Sequence, residues 1–359
     1  MRSIIDNFKE GAANDTIIKI VGVGGGGGNA VANMFNEGIV GVSYLAINTD
    51  KAALSHMPFS HRIQIGEGLG AGNNPEVAAG FAEEAADQIR EALNDGTKMV
   101  FITAGMGGGT GTGASPVVAR IARSLGILTV GIVTLPFAYE MPLKLTTALE
   151  GITSLNANVD ALIVVNNEKL TTIEGFTMSR AFKEADNVLL NAAKSIADIV
   201  NIDGYVNADF NDVRNCLTDG HKTVISTGRA RGANRTYDAI QDALLSDLVS
   251  TDNIMESKKV VLNFYCSAQH EITAMEMGKV TEFMYQMSER DRIWVKSGYT
   301  FDDDLGDEVR VTILAAGSGN ICPEEYKQEY EAIKARKEKQ ERDKDKNNGL
   351  SSDILLDRL

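Results

Sequence analysis

Residues 99–113 read Met-Val-Phe-Ile-Thr-Ala-Gly-Met-Gly-Gly-Gly-Thr-Gly-Thr-Gly, and no other stretch constrains the fold as tightly. Met99 to Thr103 has the apolar character of a buried strand, and an apolar helical pattern resumes at Val117, just after Pro116. Between them Gly107 to Gly113 is an unbroken run of glycine and threonine. A strand that passes through glycine into a helix start leaves backbone N–H groups unpaired, and the helix dipole adds partial positive charge there. Such a turn suits anions, phosphate above all. Glycine lets a ligand approach the backbone, and Thr110 and Thr112 add hydroxyl donors. Glycine alone would leave a plain surface turn open; a run that ends in a helix favours phosphate.

The same plan occurs earlier. Ile17 to Val23 reads as a β-branched buried strand, Gly24 to Gly28 with Asn29 and Ala30 follow, and a helical pattern runs through Val31 and Met34. Gly22, Gly24 and Gly27 satisfy G-x-G-x-x-G, but a five-glycine run satisfies many templates. Further strands are expected at 42–47, 63–65, 128–134 and 161–165. The first of these ends in Asn48, Thr49 and Asp50, at the strand end where α/β folds place ligands. A third glycine-rich loop, 66–74, leads into a helix capped by Asn74 with Pro75 first, and Val77, Phe81, Ala85 and Ile89 follow at helical spacing. A helix is expected over 145–156. Strands alternating with helices predict a parallel sheet covered on both faces.

The longest helical pattern runs from Met178 to Val200 and suits a spine between two domains. Beyond it the rhythm is α+β, with strands expected at 222–227, 259–267, 292–296 and 308–315 and helices near 234–245 and 274–286. From Pro323 the chain turns highly charged, with Tyr326, Tyr330 and Ile333 as a brief apolar stripe, and apolar character returns in 347–359. At 359 residues two domains are expected, and a net charge of −14 argues against a nucleic-acid surface. Cys216, Cys266 and Cys322 lack metal-type spacing, and no apolar run approaches the length of a spanning helix, so a cytoplasmic protein without direct membrane insertion is expected.

No G-x-x-x-x-G-K-[ST] occurs, which excludes a P-loop. A dehydrogenase could use Asp50 on ribose, but a second phosphate loop has no task there. Two such loops suit a nucleoside triphosphate. Phe182 and Asp186 share one face of the spine helix, and spacing alone favours a core ring and a solvated acid. Asn207, Asp209 and Asp212 form N-x-D-x-x-D at a helix start, either as ordinary caps or as carboxylates that polarise a water.

The run 107–113 resembles the signature of the FtsZ family, the tubulin-like cell-division GTPases of bacteria, and the resemblance extends from about Thr16 to about Ala316. It implies a tubulin-like α/β fold with a parallel-sheet nucleotide-binding domain (16–177), a central helix (178–201) and an α+β second domain (202–316). A loose N-terminus (1–15), a charged linker (317–349) and a C-terminal peptide (350–359) complete the expected organisation. By the same resemblance GTP is held by Gly25, Gly26, Gly27, Gly28, Asn29, Gly107, Gly108, Gly109, Thr110, Gly111, Thr112, Glu140, Lys144, Phe182 and Asp186, with Mg²⁺ to neutralise charge. Phe182 and Asp186 become the guanine contacts. Asn207, Asp209 and Asp212 become the far end of the subunit, completing the site of the next one in a head-to-tail filament at the mid-cell division site. The tail Asp353 to Arg358 resembles a peptide read by membrane-tethering and regulatory division proteins.

Three departures stand out. Lys144 occupies a place where the family usually carries Arg, which keeps the charge and loses the bidentate fork. Loop 66–74 is shorter than usual, and the tail lacks the family's Pro. A filament protein that hydrolyses weakly or not at all is the alternative these leave.

Overall fold

The structure is a computed structural model and describes residues 16–168, 177–202, 208–245, 257–291 and 293–317, with 326–328, 330–332 and 335 beyond. Asn207, Cys322, Ile333 and the tail lie outside these residues. The first half runs β1 (Ile18–Val23), α1 (Gly24–Glu37), β2 (Val42–Asn48), α2 (Lys51–Ser55), β3 (Arg62–Gln64), α3 (Pro75–Glu84) and α4 (Ala86–Leu93). It continues with β4 (Met99–Gly105), α5 (Thr110–Ser124), β5 (Leu128–Leu135), α6 (Pro142–Asn156) and β6 (Ala161–Asn166). Then come α7 (Met178–Asn201), α8 (Phe210–Leu217), β7 (His221–Ala230) and α9 (Arg235–Leu244). The last elements are β8 (Lys259–Cys266), α10 (Ala274–Asp291), β9 (Trp294–Phe301) and β10 (Val309–Ala316).

Ten strands form one sheet in the order β3-β2-β1-β4-β5-β6-β7-β10-β8-β9. From β3 to β7 all neighbours are parallel, as expected of the first half. β10 runs antiparallel to β7 and β8, and β9 returns parallel to β8, which is the α+β rhythm of the second half.

Successive strand residues serve opposite faces. Ile18 and Ile20 of β1, with Met99 and Phe101 of β4, pack with α1 and α7. Val21 and Val23, with Val100 and Ile102, pack with α4, α5 and α6. This is the two-residue period of a sheet buried on both faces. α7 spans 24 residues, about 36 Å at about 1.5 Å each. Its Leu189, Ala193 and Ile196 share one core with first-half strands and with Val261 and Leu314 of the second half. The helix expected as a spine therefore joins both halves. The opposite face of the second half closes on Ile240 and Ala243 of α9 and Val280 of α10. Tyr330 is buried in the first-half core beside α4 to α6.

Several boundaries differ from expectation. α1 and α5 begin at Gly24 and Thr110, not after their glycine runs. Glycines make up much of the first turns of the helices, and at Gly27 and Gly111 only a residue without Cβ fits between helix and sheet. Pro116 sits inside α5, past its first turn, where it gives no helix N–H bond to the carbonyl of Thr112. The helix expected after Asn74 is two helices, and Val77 is exposed while Ala78 and Ala82 are buried in its place. β9 continues to Phe301, past the expected end at Lys296. Cys216 and Cys266 are buried and free. No helix among the described residues is long and apolar enough to cross a membrane.

Candidate functional site

β1 and β4 are neighbours, with Val23 level with Ala104, so α1 and α5 start side by side at the carboxyl edge of the sheet. Neither start has a side-chain cap, and neither first turn carries an acid. By contrast, Asp50 caps α2, Asn74 caps α3 and Thr177 caps α7. Two open helix N-termini converge on one place, which is the arrangement an anion of several charges requires.

The glycines there divide by task. A Cβ on Gly27 would lie 2.2 Å from the carbonyl oxygen of Thr103, and one on Gly111 2.5 Å from that of Gly105. Gly28 is buried against Met57. Gly27 and Gly111 let the helices lie on the sheet. Gly25 meets no atom within 4 Å, and it is exposed together with Gly26 and Asn29. The second loop is shaped by Gly107, at φ +99°, whose N–H donates to Thr112 Oγ1 at 2.9 Å. Thr112 is buried and holds the loop, while Thr110 stands half-exposed with its hydroxyl 2.7 Å from that of Thr49. This Thr49–Thr110 pair is invisible to sequence reasoning, although Thr49 closes a strand at its carboxyl end. Gly108 and Gly109 face loop 66–74, and a Cβ on Gly109 would sit 2.9 Å from the Asn74 nitrogen. The carboxylate of Asp50 is occupied by the N–H groups of Ala52 and Ala53.

Beside the second loop lies the segment after β5. Glu140 accepts from the Phe137 N–H at 3.0 Å and from the Lys144 ammonium at 2.9 Å. The backbone of Lys144 abuts Gly107, where an added Cβ would meet its carbonyl oxygen at 2.7 Å. Phe182 of α7 stands edge-on to Phe137, ring centroids 5.2 Å apart, and remains 47% exposed. One turn on, Asp186 makes no hydrogen bond to any described residue, and burial pushes its carboxyl up to about 6. A half-exposed ring and a desolvated, unpaired acceptor therefore share one helix face. Neither the core ring nor the solvated acid that spacing favours is present. Nearby, Asn167 is buried with its side-chain oxygen unpartnered. Sequence reasoning passed over it, and the available signal was the Asn166-Asn167 pair closing an apolar strand.

Asp209 and Asp212 form a reciprocal cap at the start of α8. The Asp212 N–H donates to Asp209 Oδ1 at 2.9 Å, and the Asp209 N–H to Asp212 Oδ2 at 3.2 Å. In the same helix Arg214 donates to the Gly126 carbonyl, which precedes β5, and β7 after α8 starts level with the start of β6. The acids thus lie toward the amino edge of the parallel strands and the glycine starts at the carboxyl edge. A seven-residue strand such as β4 separates those edges by about 23 Å. The structure brings the two glycine runs, Glu140, Lys144, Phe182 and Asp186 to one end, and Asp209 and Asp212 to the other.

Two family models match the chain: the GTPase domain of the Tubulin/FtsZ family over residues 17–175, and the C-terminal domain of the FtsZ family over residues 221–319. The chain is 47% identical over 308 residues to the cell division protein FtsZ of Porphyromonas gingivalis, covering 84% of this chain and 67% of that protein. With the FtsZ of Azotobacter vinelandii the identity is 41% over 325 residues, 89% of this chain and 80% of that one. Among solved structures it resembles an empty FtsZ dimer from M. jannaschii, with a TM-score of 0.75 and 35% identity over 88% of this chain and 91% of that one.

Proposed function

Since the chain belongs to the tubulin/FtsZ family and is a GTP-binding, GTP-hydrolysing protein of cell division, we propose that its nucleotide lies across the two open helix starts and is hydrolysed at a junction between subunits. The observation that carries this reading is the pair of uncapped starts of α1 and α5, side by side at one edge of the sheet. Backbone N–H groups of Gly25, Gly26 and 108–110 would receive the phosphates, with Gly107 shaping the loop through its bond to Thr112. Glu140 and Lys144 would meet the ribose side. Asp186 would accept from the ring N–H and the exocyclic amine of guanine while Phe182 covers the base, and adenine offers no such pair of donors. We assign 16–177 to nucleotide binding, 178–201 to the connecting helix and 202–316 to the far end.

Among the described residues no group of three or more His, Cys, Asp or Glu could hold a metal. Mg²⁺ commonly sits on phosphates and water with few protein ligands, and the hydroxyl oxygens of Thr49 and Thr110 suit that role. When bound, it would neutralise charge on the phosphates. Asp209 and Asp212 would orient a water whose oxygen attacks the terminal phosphorus. The bond to the bridging oxygen breaks, GDP leaves with that electron pair, and the water's proton passes to a carboxylate. These acids lie across the sheet from the chain's own glycine starts, so the water they hold serves the next subunit of a head-to-tail filament. Assembly at mid-cell, and recognition of residues 350–359 by membrane-tethering and regulatory proteins, complete the proposal.

Complementation tests it. Asp212→Ala should bind GTP and lose turnover by roughly a hundredfold or more, and Asp186→Ala should lose its preference for GTP over ATP and, at GTP just sufficient to fill the native site, stay empty and release little phosphate. Mixed in equal amounts, the two should regain phosphate release, because an intact acidic end then meets an intact nucleotide site. Two inactive variants that stay inactive when co-assembled would sink the shared site.

A further inference from the structure

Asp212 is held by more than its cap. Lys296, on the edge strand β9, places its ammonium 3.1 Å from Asp212 Oδ2. That is the same oxygen that accepts from the Asp209 N–H. Asp209 in turn uses Oδ1 for the Asp212 N–H. Among the described residues, Asp212 Oδ1 and Asp209 Oδ2 therefore receive no donor, and each carboxylate is fixed through one oxygen with the other left over.

The side chain of Lys296 is 38% exposed and that of Asp212 18%, and a pair that solvent reaches from the lysine side contributes modestly to folding. Ordering a lysine across from a strand to a helix also costs side-chain entropy. α8 already anchors itself through Val213, Cys216 and Leu217. The pairing thus adds at most modestly to stability, and it fixes Asp212 through Oδ2 at the far end.

We propose that Lys296 is a positioning residue for hydrolysis on the neighbouring subunit's nucleotide. It clamps Asp212 by Oδ2, directs Oδ1 toward the attacking water, and offsets one of the two carboxylate charges that approach the terminal phosphate. This rests on the reading of Asp209 and Asp212 as acids acting across a junction. No bond is made or broken by the lysine itself, and the proton leaves the water for a carboxylate as before.

The test uses the full chain with Lys296→Met, Lys296→Arg and Asp212→Asn, measuring phosphate release alongside filament mass. Lys296→Met should keep GTP binding, thermal unfolding and the concentration at which filaments appear, while turnover per assembled subunit falls on the order of tenfold. Lys296→Arg should recover turnover to within about two- to threefold, since it restores the cation. A purely structural lysine would change unfolding or assembly, and turnover only in proportion to filament lost. That outcome, or native turnover in Lys296→Met beside an inactive Asp212→Asn, would overturn the role of Lys296 alone. Native turnover in Asp212→Asn would overturn the reading of the acids and the lysine's role with it.

Discussion

The starts of α1 and α5 and the start of α8 are the same piece of helical geometry finished in opposite ways. At α1 and α5 the first residues are glycine and threonine, and no side chain caps the leading N–H groups. At α8, Asp209 and Asp212 satisfy each other's N–H groups. A helix start becomes a ligand site where nothing of its own competes for it. Where acids close it, what remains for chemistry is the carboxylate oxygens the cap does not use.

The largest effect expected from breaking this contrast is at Gly27. Gly27→Val would drive a side chain into Thr103, lift α1 from β4, cost several kcal/mol (about 3 or more) and abolish GTP binding. Gly25→Ala should unfold within about 2 °C of the native protein yet bind GTP about tenfold more weakly, because the space its methyl enters is the ligand's. Thermal melts with and without GTP separate the two. Equal destabilisation would erase the division between packing glycines and ligand glycines.

At the closed start, Asp209→Ser keeps a capping oxygen and removes the charge. Turnover should fall on the order of a hundredfold with little change in stability, whereas Asp209→Ala should cost about 1 kcal/mol besides. Normal phosphate release in the serine variant would reduce α8 to an ordinary capped helix.

Asp186 lies between these extremes, and its signature is in pH. Burial raises its carboxyl from the ordinary 3.8 to about 6, so the free folded protein binds that proton more tightly than the unfolded chain. The stability gained from protonation is full below 3.8 and is lost as pH rises through about 6. GTP affinity moves the other way, since only the carboxylate accepts two N–H groups, and should decline as pH drops below about 6. Asp186→Asn should flatten both trends and lower GTP affinity by about 5- to 150-fold, an unpaired-donor cost of about 1–3 kcal/mol. Affinity titrations from pH 5 to 8 decide it.

Smallest is Lys144→Arg. The Lys144–Glu140 pair is partly exposed, so a bidentate fork should change GTP affinity no more than a few-fold and leave assembly unaltered. A larger gain in turnover would make this departure from the family pattern a brake on hydrolysis.

The amino-acid sequence by itself determined the parallel half of the sheet, the spine helix and the placing of both glycine runs at strand-to-helix turns. Each of these is local: a period of two or of 3.6, or a run of residues without Cβ. It also supplied the candidate acids as a motif, and the family's pattern supplied their place. Only the tertiary structure decided which glycines pack and which stand open, since that depends on Thr103 and Gly105 across the sheet. It alone joined Thr49 to Thr110, left Asp186 half-buried without a hydrogen bond among the described residues, and put Lys296 on Asp212, 84 residues away in sequence by the difference of their numbers. It alone set the acids at the opposite edge of the sheet from the glycine starts. Contacts of that kind are fixed by which strands become neighbours, and no local pattern in a chain records who its neighbours will be.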